Sequence, residues 1–274
     1  MSEKSLIGTT VTDVVHAVLA EEPEDLYVRH PSGDVIEEFV DVATETDAAL
    51  PDIRLVAEER LLKDVMDDFL VASNTADLVE GGVLSLRTTE APPRSSTFVT
   101  NDRVVALVDT ADATGGISTE NEAFVADVLD AASADWEGAD DFNLRTPGLS
   151  RVESTLEGEI GTDVQADFES VLASLETARG DGDGLDEVTI SLLVAARNRV
   201  LLYDISKWGE DVGIASKATF SRTKTKLEDL GLIDTEKVPI DVGRPRLRLK
   251  LADDRLQDAE ASDLATVAQS ILAS

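Results

Sequence analysis

From Asp186 to Leu251 the chain spells out one ordered series of elements, and few folds can accommodate it. Asp186 to Arg197 is an apolar helix with acidic residues at its start and arginine at its end, as the helix dipole favours. Leu201 to Val212 predicts a shorter helix, and Gly213 supplies a tight turn into Ile214-Ala215. A third helix follows from Ser216, whose hydroxyl suits an N-cap, to Gly231, which suits the left-handed C′ position. At 100° per residue Phe220, Thr223, Leu227 and Leu230 form one stripe that must face a core. Ala218, Ser221, Arg222 and Thr225 form the opposite stripe, flanked by Lys217 and Lys226. Residues 232–238 and 246–251 then alternate with period two, joined by Pro239, Asp241-Val242-Gly243 and Pro245. Leu247, Leu249 and Leu251 fall on one face of the second strand, and Arg246, Arg248 and Lys250 on the other. Helix, helix, turn, helix and basic hairpin in that order predict a winged helix-turn-helix.

Charge singles out the same segment. The 274-residue chain has 24 basic and 56 acidic residues, a net charge of −32. Twelve of those cations stand between Arg197 and Lys250 against eight acidic residues, so the segment is positive in a strongly negative chain. A polyanionic partner for that segment explains the concentration. Small hydroxylated residues allow close approach to a major groove, and arginine can read guanine edges. Lys217, Ser221, Arg222, Thr225 and Lys226 of the helix, with Arg244, Arg246 and Arg248 of the wing, are therefore the expected DNA-contacting residues. Arg244, between Gly243 and Pro245, is placed for the minor groove or its phosphates.

The N-terminal part alternates strands and helices, which predicts a layered α/β domain. Helices are expected at residues 11–20, 35–44 and 120–132, with one long helix from Glu58 to Glu80. Strands are expected near residues 26–29, 53–56, 83–87, 96–100 and 104–109. No catalytic constellation emerges: the two histidines, His16 and His30, form no paired motif, and no phosphate-binding glycine loop or nucleophile elbow occurs. The run Gly180-Asp181-Gly182-Asp183-Gly184 fails as a calcium loop, because Leu185 and Leu192 stand where ligands belong. Without cysteine there is no disulfide, thiolate metal site or cysteine nucleophile. No cofactor or metal is expected. Arg54, Arg87, Arg94 and the turn Asn101-Asp102-Arg103 could meet an anionic ligand, although surface ion pairing is the simpler explanation of them. No apolar stretch reaches membrane-spanning length and no leader pattern opens the chain, so a cytoplasmic protein is expected.

Residues 146–161 contain glycine, proline and serine and are expected to cross between lobes; Thr162-Asp163-Val164-Gln165 is a capping box opening another helix. A last amphipathic helix is expected over residues 253–273. Such flanking helices either pair across a two-fold axis or pack on their own subunit. The expected architecture is an α/β N-terminal domain with a mixed sheet and helices, followed by an α+β winged helix-turn-helix domain with flanking helices. Its divisions are residues 1–145, a connecting segment and helix at 146–184, the winged helix at 185–252, and a C-terminal, dimerising or self-packing helix at 253–274.

The segments Ala218-Thr219-Phe220-Ser221-Arg222 and Lys226-Leu227-Glu228-Asp229-Leu230-Gly231-Leu232-Ile233 resemble the recognition helix and wing entry of archaeal winged-helix regulators. With its acidic N-terminal lobe, the chain resembles the haloarchaeal TbsP family, regulators linked to TrmB-controlled sugar metabolism genes. Lys224 departs from the pattern, since such helices carry an apolar residue there. The pI near 4.2 and the preference for arginine over lysine resemble salt-accumulating halophiles. The resemblance implies a transcription regulator of central carbon metabolism genes, not an enzyme, with double-stranded DNA and a second copy as partners. A small-molecule effector for the N-terminal domain is left open. So are two other functions, a metabolite-binding enzyme and an assembly protein that docks through its winged helix.

Overall fold

The fold is that of a computed structural model, which describes residues 10–46, 48–90, 95–110, 113–175, 178, 185–239 and 245–272. The chain divides into two compact units, one of residues 1–67 and 74–144, the other of residues 68–73 and 145–274.

In the first unit a seven-stranded mixed sheet has the order β6-β5-β4-β1-β2-β3-β7. β1 (Asp25–Arg29), β2 (Asp52–Ala57) and β3 (Leu84–Thr88) run parallel, with Tyr27 opposite Arg54 and Leu55 opposite Leu86. β4 (Thr97–Val99), β5 (Val104–Asp109) and β6 (Thr114–Thr119) extend it antiparallel on the β1 side, and β7 (Asp140–Asp141) closes the other edge. The β4–β5 turn is closed by Thr100 N–H donating to the Arg103 carbonyl at 2.9 Å. One face of the sheet receives α5 (Glu122–Glu137), whose Val125 and Ala132 pack with Tyr27, Val99 and Val104. On the opposite face lies α2 (Gly33–Glu45), where Phe39 stacks on Phe98 at 6.1 Å between ring centroids. α1 (Val11–Leu19) packs beside α2 and is capped by the Thr10 hydroxyl.

The single long helix expected from Glu58 to Glu80 is two: α3 (Glu59–Val65) and α4 (Phe69–Glu80). Asp68, 1% exposed, breaks it by accepting the backbone N–H groups of Leu70 and Val71 with its side chain. It also accepts the N–H of Ala178, which draws the first turn of α4 into the second unit. β6 escaped the sequence reading because Gly115-Gly116 disguise its alternation.

The second unit is built on one core. α8 (Glu187–Arg197) is its axis, with Ile190, Leu192, Leu193, Val194 and Ala195 all but inaccessible. Around it lie α6 (Leu149–Glu159), α7 (Thr162–Leu172), α9 (Leu202–Val212), α10 (Lys217–Asp229) and the hairpin of β8 (Ile233–Val238) and β9 (Arg246–Leu251). Residues 149–159, expected as a crossing segment, are helical and bury Val152 and Leu156. The cap at residue 162 also differs. Gly161, at φ 146°, is the N-cap of α7, and Gln165 donates to Glu169 instead of reaching back. The final helix is interrupted: α11 (Asp254–Asp258) and α12 (Leu264–Leu272) are separated by a short 3-10 turn at Ala261–Asp263. The apolar residues of α7, α11 and α12, among them Phe168, Leu172, Leu256, Leu264 and Ala268, are buried in this same core.

Candidate nucleic-acid interface

The geometry of α10 is set by its partner α9. The Gly209 carbonyl accepts N–H groups from Gly213, Ile214 and Ala215 at 3.2, 2.8 and 3.3 Å, so three successive donors close the turn between the helices. Gly213 makes that reversal in the left-handed region, at φ 102°. Gly209 also lets the Phe220 ring lie directly on the α9 backbone: a Cβ there would stand 2.3 Å from ring carbon Cε2 and 2.4 Å from Cζ. α9 is steadied in turn by α6, as buried Trp208 donates its indole N–H to the Thr155 hydroxyl at 3.0 Å.

Ser216 caps α10, accepting the Thr219 N–H at 3.2 Å, and Gly231 follows the helix at φ 72°. Phe220 and Leu227 are buried, Thr223 and Lys224 are half-buried, and Leu230 is 44% exposed. The core stripe is thus rolled toward Lys224, and Leu230, expected inside, lies outside. The reason is at Lys224, whose ammonium pairs with Glu228 at 2.6 Å while Glu228 also accepts the Thr235 hydroxyl at 3.0 Å. The pair lets the Lys224 stem cover the core while the charge is neutralised by its own helix.

Ala218, Ser221, Arg222, Thr225, Lys226, Asp229 and Leu230 line one open outer groove. The expected helix residues Ser221, Arg222, Thr225 and Lys226 are brought together there. Lys217 is turned aside to Glu210, at 2.5 Å. Its neighbour holds the Glu210 carboxyl below the ordinary range and the Lys217 ammonium above its own, chiefly through their hydrogen bond. Asp229 and Leu230 were not anticipated, though helical spacing places Asp229 opposite Phe220.

The wing is a regular antiparallel ladder with Ile233 opposite Leu251 and Glu236 opposite Arg248. Leu249 N–H donates to the Val200 carbonyl at 2.9 Å, and Leu201 bridges Arg248, tying β9 to the segment before α9. Arg246, Arg248 and Lys250 share the outer face as expected, and each has an acidic partner. Arg246 meets Asp204 at 3.6 Å and lies over the Tyr203 ring, 4.9 Å from its centroid. Arg248 meets Glu236 at 3.5 Å, and Lys250 meets Asp234 at 2.7 Å. The hydrogen bond from Lys250 holds the Asp234 carboxyl below its ordinary range. Tyr203, 50% exposed, is a contributor the sequence reading missed, since nothing local in the sequence marks its stacking. Arg244 lies outside the described residues. Among the described residues from 197 to 250, the cations without a carboxylate at ion-pair distance are Arg222, Lys226 and Lys237.

The cations considered as anion sites in the first unit are occupied by the chain's own carboxylates. Arg54 pairs with Asp25 and Asp52 and stacks on Tyr27, Arg87 pairs with Asp141 and stacks on Trp136, and buried Arg103 pairs with Glu21 and Glu120. Arg94 and the Gly180–Gly184 run fall outside the described residues. Among the described residues no cluster of metal-ligating side chains occurs, and no helix is long and apolar enough to cross a membrane.

Among solved structures the chain is similar to that of TrmBL2, described as an archaeal chromatin protein with a novel mode of DNA binding. The two are 13% identical with a TM-score of 0.36, over 51% of this chain and 54% of that one, so the chain spans about half the length of that structure. No curated protein matches. Residues 3–147 match the family described as transcriptional regulator TbsP-like, N-terminal, and residues 148–269 match the TbsP-like C-terminal HTH domain. The two matches adjoin and take in almost the whole sequence, and the chain therefore belongs to the TbsP-like transcriptional regulators.

Proposed function

We propose that this chain is a sequence-specific regulator of transcription that lays α10 in the major groove of double-stranded DNA and its wing along the adjacent backbone. The observation that carries the reading is the state of Arg222 and Lys226. Both stand on the outward groove of α10, and among the described residues neither meets a carboxylate, although the chain is richly acidic. Arg222 is the base-reading residue, its guanidinium fork matching the two acceptors of a guanine edge. Ser221 and Thr225 flank it; the Thr225 hydroxyl donates to the Ser221 carbonyl at 3.0 Å, which leaves its lone pairs outward. Lys217, Lys226, Arg246 and Arg248 serve the phosphates, and Arg244 the minor groove beside the wing. Asp204, Glu210 and Glu236 hold three of these cations until phosphates replace them. Acidic partners of this kind lower affinity for arbitrary DNA, because every cation released to a phosphate must first leave a carboxylate.

In this reading the protein works as a homodimer on paired half-sites, in the salt-rich cytoplasm of a halophilic archaeon, on genes of central carbon metabolism. Its α/β unit senses a metabolite or contacts another protein and catalyses nothing. Genome-wide crosslinking of the tagged protein supplies the operator. Arg222→Ala should then weaken operator binding by about 1–3 kcal/mol while leaving random duplex nearly unaffected. Equal loss on both duplexes would reduce Arg222 to a phosphate contact and remove the basis of the reading.

A further inference from the structure

The two edges of the seven-stranded sheet are built oppositely. At one edge β7 is two residues long and both are aspartates, the short and charged form that keeps a sheet from pairing with a neighbour. At the other edge β6 runs for six residues, Thr114-Gly115-Gly116-Ile117-Ser118-Thr119, with no charged side chain in a chain that is 29% charged. Among the described residues no strand pairs with its outer side. The first charge after the strand, Glu120, is already paired with Arg103.

The same strand carries exposed apolar surface. The ladder sets Ile117 opposite Ala106 and Gly115 opposite Val108, so Ile117, Gly115 and Val108 share a face. That is the face on which α5 covers Tyr27, Val99 and Val104, but Ile117 and Val108 are 62% and 47% exposed. Phe124, in the first turn of α5, adds a further exposed apolar side chain at 51%. Gly115 is not explained by its own subunit. A Cβ built on it meets nothing within 4 Å and its φ is ordinary, so a side chain would fit without strain. A strand glycine marks a bulge, a bend, or close approach by a ligand or another backbone, and β6 keeps an unbroken register with β5 from Thr114 to Thr119.

We propose that β6 is a self-association edge, pairing antiparallel with β6 of a second copy about a two-fold axis through Gly116. Antiparallel pairing of identical strands is isologous and closes at two copies. In this register Ile117 of each copy fills the space over Gly115 of the other and reaches its Val108. The occupant is a second copy because a chain of net charge −32 meets itself with least repulsion across a charge-free surface, and β6 is one. The inference does not rest on the DNA-binding reading.

Sedimentation of the full chain, in the absence of DNA, tests it. The parent protein should be dimeric at a concentration on the order of tens of micromolar. Ile117→Lys should be monomeric with an unchanged far-UV circular dichroism spectrum, since that side chain is outside the subunit's own core. An oxidised mixture of Gly115→Cys and Ile117→Cys proteins should give a covalent heterodimer, a readout made clean by the absence of native cysteine. A monomeric parent, a dimeric Ile117→Lys protein, or no covalent heterodimer would each overturn the proposal. None of these outcomes bears on whether α10 binds DNA.

Discussion

Gly209→Ala is the sharpest test of how α9 positions α10. In an exposed helix the change should stabilise, since alanine exceeds glycine in helix propensity by about 0.8–1.0 kcal/mol. Here the new methyl would stand 2.3 and 2.4 Å from two Phe220 ring carbons, against roughly 3.5–4.0 Å for relaxed carbon contact. Phe220 is fully buried, so the ring cannot retreat far enough without the helices parting. Overpacking of this kind costs about 1–3 kcal/mol, and the upper end applies because two ring atoms are struck at once. Set against the propensity gain, the net loss should be about 2 kcal/mol. Trp208, adjacent in α9, reports it by fluorescence in a Trp136→Phe background, because the chain has only those two tryptophans. Urea titration of that signal gives the change. Gly158→Ala in α6 is the control: nothing lies within 4 Å of its Cβ, so it should gain roughly 1 kcal/mol. Operator affinity should fall with Gly209→Ala and hold with Gly158→Ala. A Gly209→Ala protein as stable as the control would refute the claim that this contact sets the angle of α10.

Other outcomes follow from single contacts. Thr155→Val leaves the Trp208 indole N–H unpaired inside the core and should cost about 1–3 kcal/mol, with a shift in Trp208 emission. Burial raises the Glu187 carboxyl above its ordinary range, so between the unfolded and folded values the native state holds a proton that the unfolded chain has released. The Glu187 contribution to stability should therefore decline as pH rises through that interval, and Glu187→Gln should remove that contribution, so that the variant gains on the parent as pH rises toward neutrality. Urea melts across pH 4 to 8 check the sign. Glu210→Gln frees Lys217 for phosphate, so the plot of log affinity against log salt should steepen by roughly one contact. An unchanged slope would place Lys217 off the DNA.

What the sequence disclosed was whatever short-range chemistry determines. Ser216 caps the helix it was expected to cap, Gly231 takes the left-handed conformation its position suggested, and Gly213 makes the expected turn. The period-two leucines of β9 and its outward cations were legible for the same reason. Several of the misses depend on partners distant in sequence, and the others on which side chains pair locally. Asp68 breaks a helix because Ala178 stands more than a hundred residues away to share it. Residues 149–159 are helical although Gly158 interrupts them, because Val152 and Leu156 have the second unit's core to enter. Leu230 could not be placed without knowing that Lys224 and Glu228 neutralise each other on the inner side. In the wing, the sequence showed which cations face outward but not that Asp204, Glu236 and Asp234 hold them.

The first turn of α4 has a consequence for how this protein can be made. Residues 68–73 leave the ribosome early, yet Phe69 belongs to the hydrophobic cluster that Val152, Leu156 and Phe168 complete. At ordinary translation rates of about 5–20 residues per second, that turn waits several seconds for the side chains that will cover it. Until then an apolar phenylalanine and a carboxylate without its distant donor are tethered to a unit that does not need them. The C-terminal half inherits the converse debt: severed at the family boundary near residue 148, it would lack Phe69 and Asp68 and carry a gap in its own core. Gene fusion or exchange at that boundary is thus not free, and recombination that preserves the fold must carry six residues from the other side.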